Sequence, residues 1–301
     1  MRTLPAPPLP PWIERQLPAG LRRYRLDVGG YAVHVMESGE GRPVLLQHGN
    51  PVWGFLWRRV AAALAGQPLR LIMPDLVGLG WSDRPRSARE HTLDNHARWM
   101  GGLLDALELR NVVAVLHDWG GPIVGRALAD RPGLATGLVV LNTILGPPRP
   151  GSRGTRFHRF ARRPVVSDVF FRLLGYPQRA LHRAQGDPAS IRGEVARAYR
   201  EPLRGLRRNA APLALARMVP SGALDHPSLE PMRRVHDFVA GFGGPVAVVW
   251  GDRDPVLGRA LARIEEQLPR APVTHTAAGH FLQEEVPAEV ARAIVYTSGL
   301  P

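Results

Sequence analysis

The sequence contains no cysteine and no lysine. Without cysteine the chain can form no disulfide, thiol nucleophile or thiolate metal site, and this suits a cytoplasmic protein. It also lacks an apolar run of the roughly 18 residues that a membrane-spanning helix needs, because Asn142 and Thr143 interrupt the apolar segment 138–145. The first 20 residues hold six prolines, which argues against a secretory signal, so we expect a cytoplasmic location and no membrane partner.

Arginine supplies all of the basic charge. The 301 residues carry 39 Arg against 26 Asp and Glu, a formal net charge of +13. Between Arg149 and Arg234 there are 18 arginines and six acidic residues, so this segment holds nearly all of the excess. Clustered arginine with interleaved aromatic residues is typical of anion or nucleic-acid binding, which is one hypothesis for this segment. The complete absence of lysine favours a compositional bias instead, and we expect no nucleic-acid partner.

The chain alternates short apolar strands with helical segments. After a proline-rich arm over residues 1–20, Tyr24–Val28 and Tyr31–Glu37 flank two glycines in a pattern that predicts a β-hairpin. Six further strands are predicted, over Val44–Gln47, Leu69–Met73, Val112–Leu116, Leu138–Leu141, Val246–Trp250 and Val273–Thr276. Helical spacing between them predicts an α/β fold, a mostly parallel eight-stranded sheet with helices on both faces.

The alternation stops at about residue 147. From there to residue 234 the sequence is rich in arginine, proline and glycine and shows helical but no strand patterns, which predicts an inserted helical cap. Residues 21–146 and 235–301 would then form one α/β core. Ligands in such folds bind beyond the carboxyl ends of the strands, so functional residues are expected directly after each strand.

One short segment has the pattern of a catalytic turn between a strand and a helix. HDWGG, at positions 117–121, follows the predicted strand Val112–Leu116 and precedes a helical segment. A residue in the middle of such a turn exposes its side chain beside backbone N–H groups, and glycines allow close backbone approach. That residue is Asp118, whose carboxylate can attack carbon without first losing a proton. Capping of the following helix is its alternative role.

Three other predicted strands are also followed by polar side chains. The segments are HGNP at 48–51, GDRDP at 251–255 and AAGHF at 277–281. They supply the amide of Asn50, the carboxylates of Asp252 and Asp254, and the imidazole of His280. Each residue could serve only its own loop, the aspartates as turn formers. The chain order of nucleophile, acid and histidine is nevertheless that of the α/β-hydrolases.

These segments give the chain a resemblance to the haloalkane dehalogenases of the α/β-hydrolase fold. The resemblance runs from about Tyr24 to Thr297 and rests on HGNPVWGFLWR, PDLVGLGWSD, HDWGG, WGDRDP and GHFLQEE. Epoxide hydrolases share HDWGG but usually carry an aromatic residue at the position of Asn50. Fluoroacetate dehalogenases usually carry arginine at the position of Trp119. The resemblance implies the α/β-hydrolase fold, with no cofactor and no metal ion.

The family's reaction assigns a role to each matching residue. Asp118 would displace halide from a carbon atom and form an alkyl ester, which water activated by His280 would hydrolyse; the products are a primary alcohol, halide and a proton. Asp254 would orient His280 and stabilise its charged form. The side chains of Asn50 and Trp119 would bind the halide, and their backbone N–H groups would form the oxyanion hole.

Two features resemble the third dehalogenase subfamily. None of the seven tryptophans lies in the cap, so Asn50 is expected to be the second halide donor. Asn142 stands after the sixth predicted strand, where another subgroup carries its acid, and this leaves Asp254 after the seventh. The resemblance also implies a small-molecule haloalkane and water as reactants and a role in detoxification, and it leaves a homo-oligomer possible. It does not specify the preferred haloalkane.

Aromatic residues and histidines leave further questions open. Phenylalanines of the cap and of the segment 277–281, here called the histidine loop, could line an apolar substrate pocket, or pack the cap onto the core: Phe157, Phe160, Phe170, Phe171 and Phe281. Two cap tyrosines, Tyr176 and Tyr199, could donate to an oxygen atom, which would make the same nucleophile and histidine an epoxide hydrolase. Four histidines lack metal-ligand spacing and are expected at ordinary core or surface positions: His91, His96, His158 and His182.

Overall fold

Nine strands form one sheet in this computed structural model. The structure describes residues 3–149, 151–152, 154–205, 209–220 and 225–300, so short parts of the predicted arm and cap lie outside it. The strands are β1 (Thr3–Pro5), β2 (Arg22–Val28), β3 (Tyr31–Ser38), β4 (Arg42–Gln47), β5 (Leu69–Pro74), β6 (Val112–Asp118), β7 (Ala135–Thr143), β8 (Val246–Gly251) and β9 (Val273–Thr276). Their order is β1-β2-β3-β5-β4-β6-β7-β8-β9, and the last six strands of this order run parallel.

The sequence predicts eight strands, and the ninth comes from the proline-rich arm. β1 pairs antiparallel with β2, Leu4 opposite Arg25, and the Arg25 guanidinium donates to the Pro5 carbonyl oxygen over 3.2 Å. Proline is tolerated there because β1 is an edge strand. A three-residue segment with a proline shows no alternating pattern, so the sequence indicated only an arm. The predicted hairpin is present as β2 and β3.

Helices cover both faces of the sheet. They are α1 (Pro11–Glu14), α2 (Arg58–Ala63), α3 (Leu93–Ala106), α4 (Gly120–Ala129), α5 (Arg156–Ala161), α6 (Val166–Asp168), α7 (Gly193–Arg200), α8 (Ala210–Arg217), α9 (Leu229–Ala240), α10 (Leu261–Gln267) and α11 (Pro287–Thr297). The apolar core of one face includes residues of α3, α4, α9 and α10, and that of the other includes residues of α1, α2 and α11. No helix among the described residues is long and apolar enough to cross a membrane.

The parallel strands are apolar on both sides because both faces are covered. In β4, Val44 and Leu46 pack into one core and Leu45 into the other. β6 and β7, in the interior of the sheet, are buried over most of their length. This agrees with the predicted α/β architecture, and it places the carboxyl ends of β4, β6, β8 and β9 along one edge.

The cap consists of helices and short turns between β7 and α9. It contains α5, α6, α7 and α8, a π-helical turn at Val169–Leu173, and 3₁₀ turns at Gln178–Ala184, Pro188–Ile191 and Glu201–Leu203. Helix α9 crosses residue 234, the cap boundary that composition indicated. It packs closely on α4, because a Cβ atom on Gly125 would lie 2.9 Å from Cγ1 of Val235. By its packing, α9 belongs with the core.

Candidate active site

Asp118 is the last residue of β6 and stands at the sharp turn from this strand into α4. Its φ of +49° lies in the left-handed region, which non-glycine residues seldom adopt and which often marks functional positions. Glycines give this turn its room. A Cβ atom on Gly49 would lie 2.1 Å from Oδ1 of Asp118, and one on Gly120 would lie 2.5 Å from the carbonyl oxygen of Gln47. The turn therefore needs glycine at both positions, and it holds the carboxylate at the edge of the sheet.

The Asp118 carboxylate has two neighbours that favour its charged form. The backbone N–H of Asn50 donates to Oδ1 over 2.7 Å, and Nε2 of His280 lies 3.6 Å from Oδ2. Burial acts to raise the pKa of Asp118, but His280 and the Asn50 N–H outweigh it and hold that pKa below its usual value. Asp118 is therefore a carboxylate at neutral pH, as a nucleophile must be.

His280 lies between two carboxylates. Its Nδ1 bonds Oδ2 of Asp254 over 2.8 Å, which directs Nε2 towards Asp118. Its backbone N–H donates to the carbonyl oxygen of Ala184 in the cap, and its own carbonyl accepts from Nε2 of His117. Burial acts to lower the pKa of His280, but Asp254 and Asp118 together raise it to about 10. The charge on Asp118 thus contributes directly to the proton affinity of the histidine.

Asn142 bonds Asp254, a contact that the sequence did not predict. Asp254 is buried, whereas Asp252 is exposed and bonds His275 over 3.1 Å. The Asn142 amide donates over 2.8 Å to the same Asp254 oxygen that His280 binds, and its Oδ1 accepts the Gly251 N–H over 2.8 Å. These bonds tie the loop after β8 to the end of β7. The signal in the sequence was only that an amide stands where another subgroup has its acid.

The amide of Asn50 and the indole of Trp119 face the same cavity as Asp118. Trp119 precedes the first residue of α4, so its backbone N–H lies at the positive end of a helix dipole. The Asn50 amide donates over 2.9 Å to the carbonyl oxygen of Pro212 in the cap. An amide nitrogen carries two hydrogens, so one remains for a ligand. N–H donors from the Asn50 loop and from the start of α4 therefore line the cavity that holds the carboxylate.

The cavity lies between the core and the cap and has a volume of about 950 Å³. Of the five predicted pocket phenylalanines, the structure brings Phe157 and Phe281 to its wall. Phe160 and Phe171 belong instead to a separate apolar cluster inside the cap. Phe170 is exposed and contacts the ring of Phe160 edge-on. Phe170 and Phe171 lie in the π-helical turn, which changes the spacing at which side chains share a face, and this explains why the two differ from the prediction.

The two cap tyrosines lie in different environments. Tyr176 is on the cavity wall, whereas Tyr199 is fully buried and its hydroxyl donates to the carboxylate of Glu284. Glu284 also accepts two bonds from the Arg58 guanidinium, at 2.5 and 2.9 Å. The structure therefore brings Tyr176 to the cavity, whereas the Tyr199 hydroxyl joins the cap to the core.

His158 is a cavity residue that the sequence placed among ordinary histidines. It belongs to α5, lies on the wall of the cavity and bonds the Thr155 hydroxyl through Nδ1 over 2.9 Å. Burial lowers its pKa to about 4 against the attraction of Asp118, so its ring is neutral at pH 7. His91 and His96 bond each other in the core over 2.9 Å. The described residues contain no group of three or more side chains able to hold a metal ion.

Comparisons with known proteins agree on the family. The α/β-hydrolase fold family matches residues 42–287. A haloalkane dehalogenase from Mycobacterium marinum is 30% identical over 277 residues, 89% of this chain and 89% of that protein. The crystal structure of the haloalkane dehalogenase DatA from Agrobacterium tumefaciens matches with a TM-score of 0.83 and 24% identity, over 92% of this chain and 96% of that one. The epoxide hydrolase CorEH matches with a TM-score of 0.73 and 23% identity, over 92% and 98%.

The two structural matches show the shared fold and do not distinguish the two chemistries, since both are below 25% identity. The family match and the sequence relative go further, because each spans most of the chain. The chain therefore belongs to the α/β-hydrolase fold family and, within it, to the haloalkane dehalogenases, hydrolases that act on carbon–halide bonds.

Proposed function

We propose that this enzyme hydrolyses haloalkanes to a primary alcohol, halide and a proton through an alkyl ester on Asp118. The observation that carries the proposal is the ionised carboxylate of Asp118 on its strained turn, with Nε2 of His280 3.6 Å away and the Asn50 amide and Trp119 indole facing the same cavity. A carboxylate nucleophile, a histidine and N–H donors are the groups that this reaction needs.

In the first step, one carboxylate oxygen of Asp118 attacks the halogen-bearing carbon. The new carbon–oxygen bond forms as the carbon–halogen bond breaks, and the halide leaves with the electron pair. The Asn50 amide and the Trp119 indole donate N–H groups to the halide as its charge develops. The positive end of α4 adds to this stabilisation, which is strong in a site that excludes water.

In the second step, His280 takes a proton from water as the water oxygen attacks the carbonyl carbon of the ester, which is Cγ of Asp118. Esterification removes the charge of Asp118, one of the two carboxylates that raise the pKa of His280. The pKa of His280 therefore falls when the ester forms, and His280 becomes able to act as a base at the stage that needs one. Asp254 stabilises the imidazolium, and the backbone N–H groups of Asn50 and Trp119 hold the oxyanion. The bond between Cγ of Asp118 and the alkyl oxygen then breaks, the alcohol leaves with the proton from His280, and the carboxyl group of Asp118 loses its proton to solvent, which restores the carboxylate.

Halide release from 1-bromobutane and 1,2-dibromoethane, followed together with proton release, tests the reaction. We expect no turnover by Asp118→Ala, which lacks the nucleophile. His280→Gln should stop after one turnover with the alkyl group on Asp118, visible as added mass on the intact protein. Asp254→Asn should slow ester hydrolysis, because the imidazolium of His280 loses its carboxylate partner. Asp252→Asn is its matched control and should turn over like the parent enzyme, because Asp252 is exposed and bonds His275. Full activity of Asp118→Ala would refute the mechanism.

The origin of the alcohol oxygen separates the ester route from direct attack by water. In a single turnover in ¹⁸O-water, the ester route gives an alcohol whose oxygen comes from Asp118, and the label enters the carboxylate. Direct displacement by water would place the label in the alcohol at the first turnover. This measurement uses the unmodified enzyme, so it does not depend on how any variant folds.

The dehalogenase is preferred over an epoxide hydrolase because of Tyr199. Two tyrosine hydroxyls would have to reach an epoxide oxygen, and that of Tyr199 donates to Glu284 instead.

We also propose that the enzyme is cytoplasmic and needs only substrate and water. A homo-oligomer is proposed because the cap exposes the apolar side chains of Val165, Phe170 and Leu173, and light scattering would measure it.

A further inference from the structure

Four arginines line the cavity at its exposed end, and we call them the rim arginines: Arg156, Arg159, Arg183 and Arg259. The first two belong to α5, the third to the 3₁₀ turn Gln178–Ala184 and the fourth to the 3₁₀ turn Gly258–Ala260. They therefore come from both the cap and the core. The acidic residues on the cavity wall are Asp118 and Asp254, which lie at its buried end.

The rim arginines have no carboxylate of their own. Among the residues that the structure describes, no Asp or Glu side chain lies within 4.0 Å of their guanidinium groups. Other arginines of the cap do form such pairs, including Arg217 with Asp168 at 2.9 Å and Arg204 with Glu201 at 3.1 Å. The charge of the rim is thus not neutralised locally, and it is available to a ligand.

The cavity changes character along its depth. Leu181 and Phe281, both almost fully buried, contribute apolar wall near His280, and Phe157 and Ala216 add to it. The volume of about 950 Å³ is near the upper end of the range for small-molecule sites, which is more than a short haloalkane fills. An apolar interior with a cationic mouth fits a molecule that has an alkyl chain and an anionic end.

We propose that the preferred substrates are haloalkyl chains that carry a carboxylate at the end remote from the halogen. The inference rests on the proposed function, and the bonds made and broken at Asp118 are the same. Guanidinium groups bind carboxylates through paired N–H donors, and an uncompensated cluster also draws anions into a cleft. The hydroxyl of Tyr176, on the wall beside Arg183, can add a neutral donor.

The proposal requires distance between the two ends of the substrate. A carboxylate close to the halogen would be brought against the negative charge of Asp118, which repels it. Short acids such as bromoacetate should therefore be poor substrates, and activity should rise with chain length until the carboxylate reaches the rim. This chain-length dependence separates recognition at the rim from a general preference for anions.

The test compares 6-bromohexanoate with 6-bromohexan-1-ol, which has a similar length and no charge, by bromide release. We expect kcat/KM to be about tenfold higher for the acid at low salt, within the range of electrostatic steering in charged clefts. The ratio should fall at an ionic strength of about 0.5 M, where exposed charges are screened. The measured quantity is the ratio of kcat/KM for the acid to kcat/KM for the alcohol, because a general loss of activity lowers both values equally and leaves the ratio unchanged.

Two variants with the same change in charge make the test specific. The rim variant replaces all four rim arginines with glutamine, and its ratio should fall to near one. The control variant also carries glutamine, in place of four exposed arginines that do not line the cavity: Arg98, Arg110, Arg192 and Arg270. Its acid-to-alcohol ratio of kcat/KM should stay at the parental value.

The outcomes separate this inference from the proposed function. Bromide release from the alcohol with an acid-to-alcohol ratio near one would overturn the inference and leave the dehalogenase standing. So would a ratio that is equal in the rim and control variants, or a rim variant that differs only in inhibition by bromide. No bromide from either compound, at any chain length, would overturn both.

Discussion

Tyr199→Phe is expected to weaken the protein without removing its chemistry. Tyr199 belongs to α7 of the cap, and its buried hydroxyl donates to Glu284, which follows the histidine loop. Glu284 is also bound by both terminal nitrogens of Arg58, from α2. Burial and Glu284 raise the pKa of Tyr199, so the hydroxyl keeps its proton and remains a donor. The substitution removes this one donor and leaves the ring in place.

The magnitude follows from what remains paired. A hydrogen bond to a charged group contributes about 1.5–3 kcal/mol, so Tyr199→Phe should lower the free energy of unfolding by about 2 kcal/mol. Glu284 keeps its two bonds to Arg58 in this variant. Glu284→Gln removes the charge that Arg58 is paired with, and the loss should be greater, about 3–5 kcal/mol.

Urea unfolding measures the stability and bromide release from 1-bromobutane measures the activity. We expect kcat/KM of Tyr199→Phe to stay within about threefold of the parent, because no interaction with the transition state is removed. Tyr176→Phe is the matched control, since Tyr176 is a half-buried cap tyrosine on the cavity wall, and it should change stability less. A loss of about 100-fold in activity by Tyr199→Phe at unchanged stability would refute the reasoning, because it is the loss expected of a proton donor to substrate.

Three further predictions concern the reacting groups. The pKa of His280 falls once Asp118 is esterified, so lowering the pH protonates His280 in the ester intermediate, while the lowered pKa of Asp118 keeps the nucleophile of the free enzyme charged. The ester should therefore accumulate and the rapid-quench burst should grow; a burst independent of pH would contradict this. Asn142→Ala should cost about 2–4 kcal/mol in urea unfolding and slow ester hydrolysis more than alkylation, because Asp254 loses a partner. Equal slowing of both steps would argue against positioning. Gly49→Ala should remove activity, since its Cβ would overlap Asp118; an active variant would show that the turn can move.

The strand ends could be predicted from the sequence because buried parallel strands read as uninterrupted apolar runs. β6 and β8 contain such runs, so Asp118, directly after the first run, and Asp254, after the second, could be assigned from the sequence to the same end of the sheet. The glycines of HDWGG also predicted the turn, since the close backbone approach there excludes a Cβ atom. In these segments the residue types favour the same strands and turns that the complete fold contains.

The cap could not be predicted to the same depth, because its side-chain directions depend on how irregular elements pack. The π-helical turn exposes Phe170 and buries Phe171, and no helical period indicates this. Tyr199 looks like Tyr176 in the sequence, and only the tertiary contact with Glu284 separates them. Strand β1 was not predicted for another reason: it is short, and its position at the edge of the sheet tolerates proline.

The insertion point of the cap has an evolutionary consequence. The chain leaves the core at the carboxyl end of β7 and returns at the start of α9, and a crossover helix begins at that same edge. A segment inserted there can be exchanged for another without rewiring the sheet, as domain insertions at adjacent ends generally can. A replacement must keep the hydrogen bonds that join the cap to the core, among them the Tyr199 hydroxyl to Glu284 and the His280 N–H to the Ala184 carbonyl oxygen. A lineage could therefore acquire a new substrate range by swapping this module while inheriting its chemistry intact.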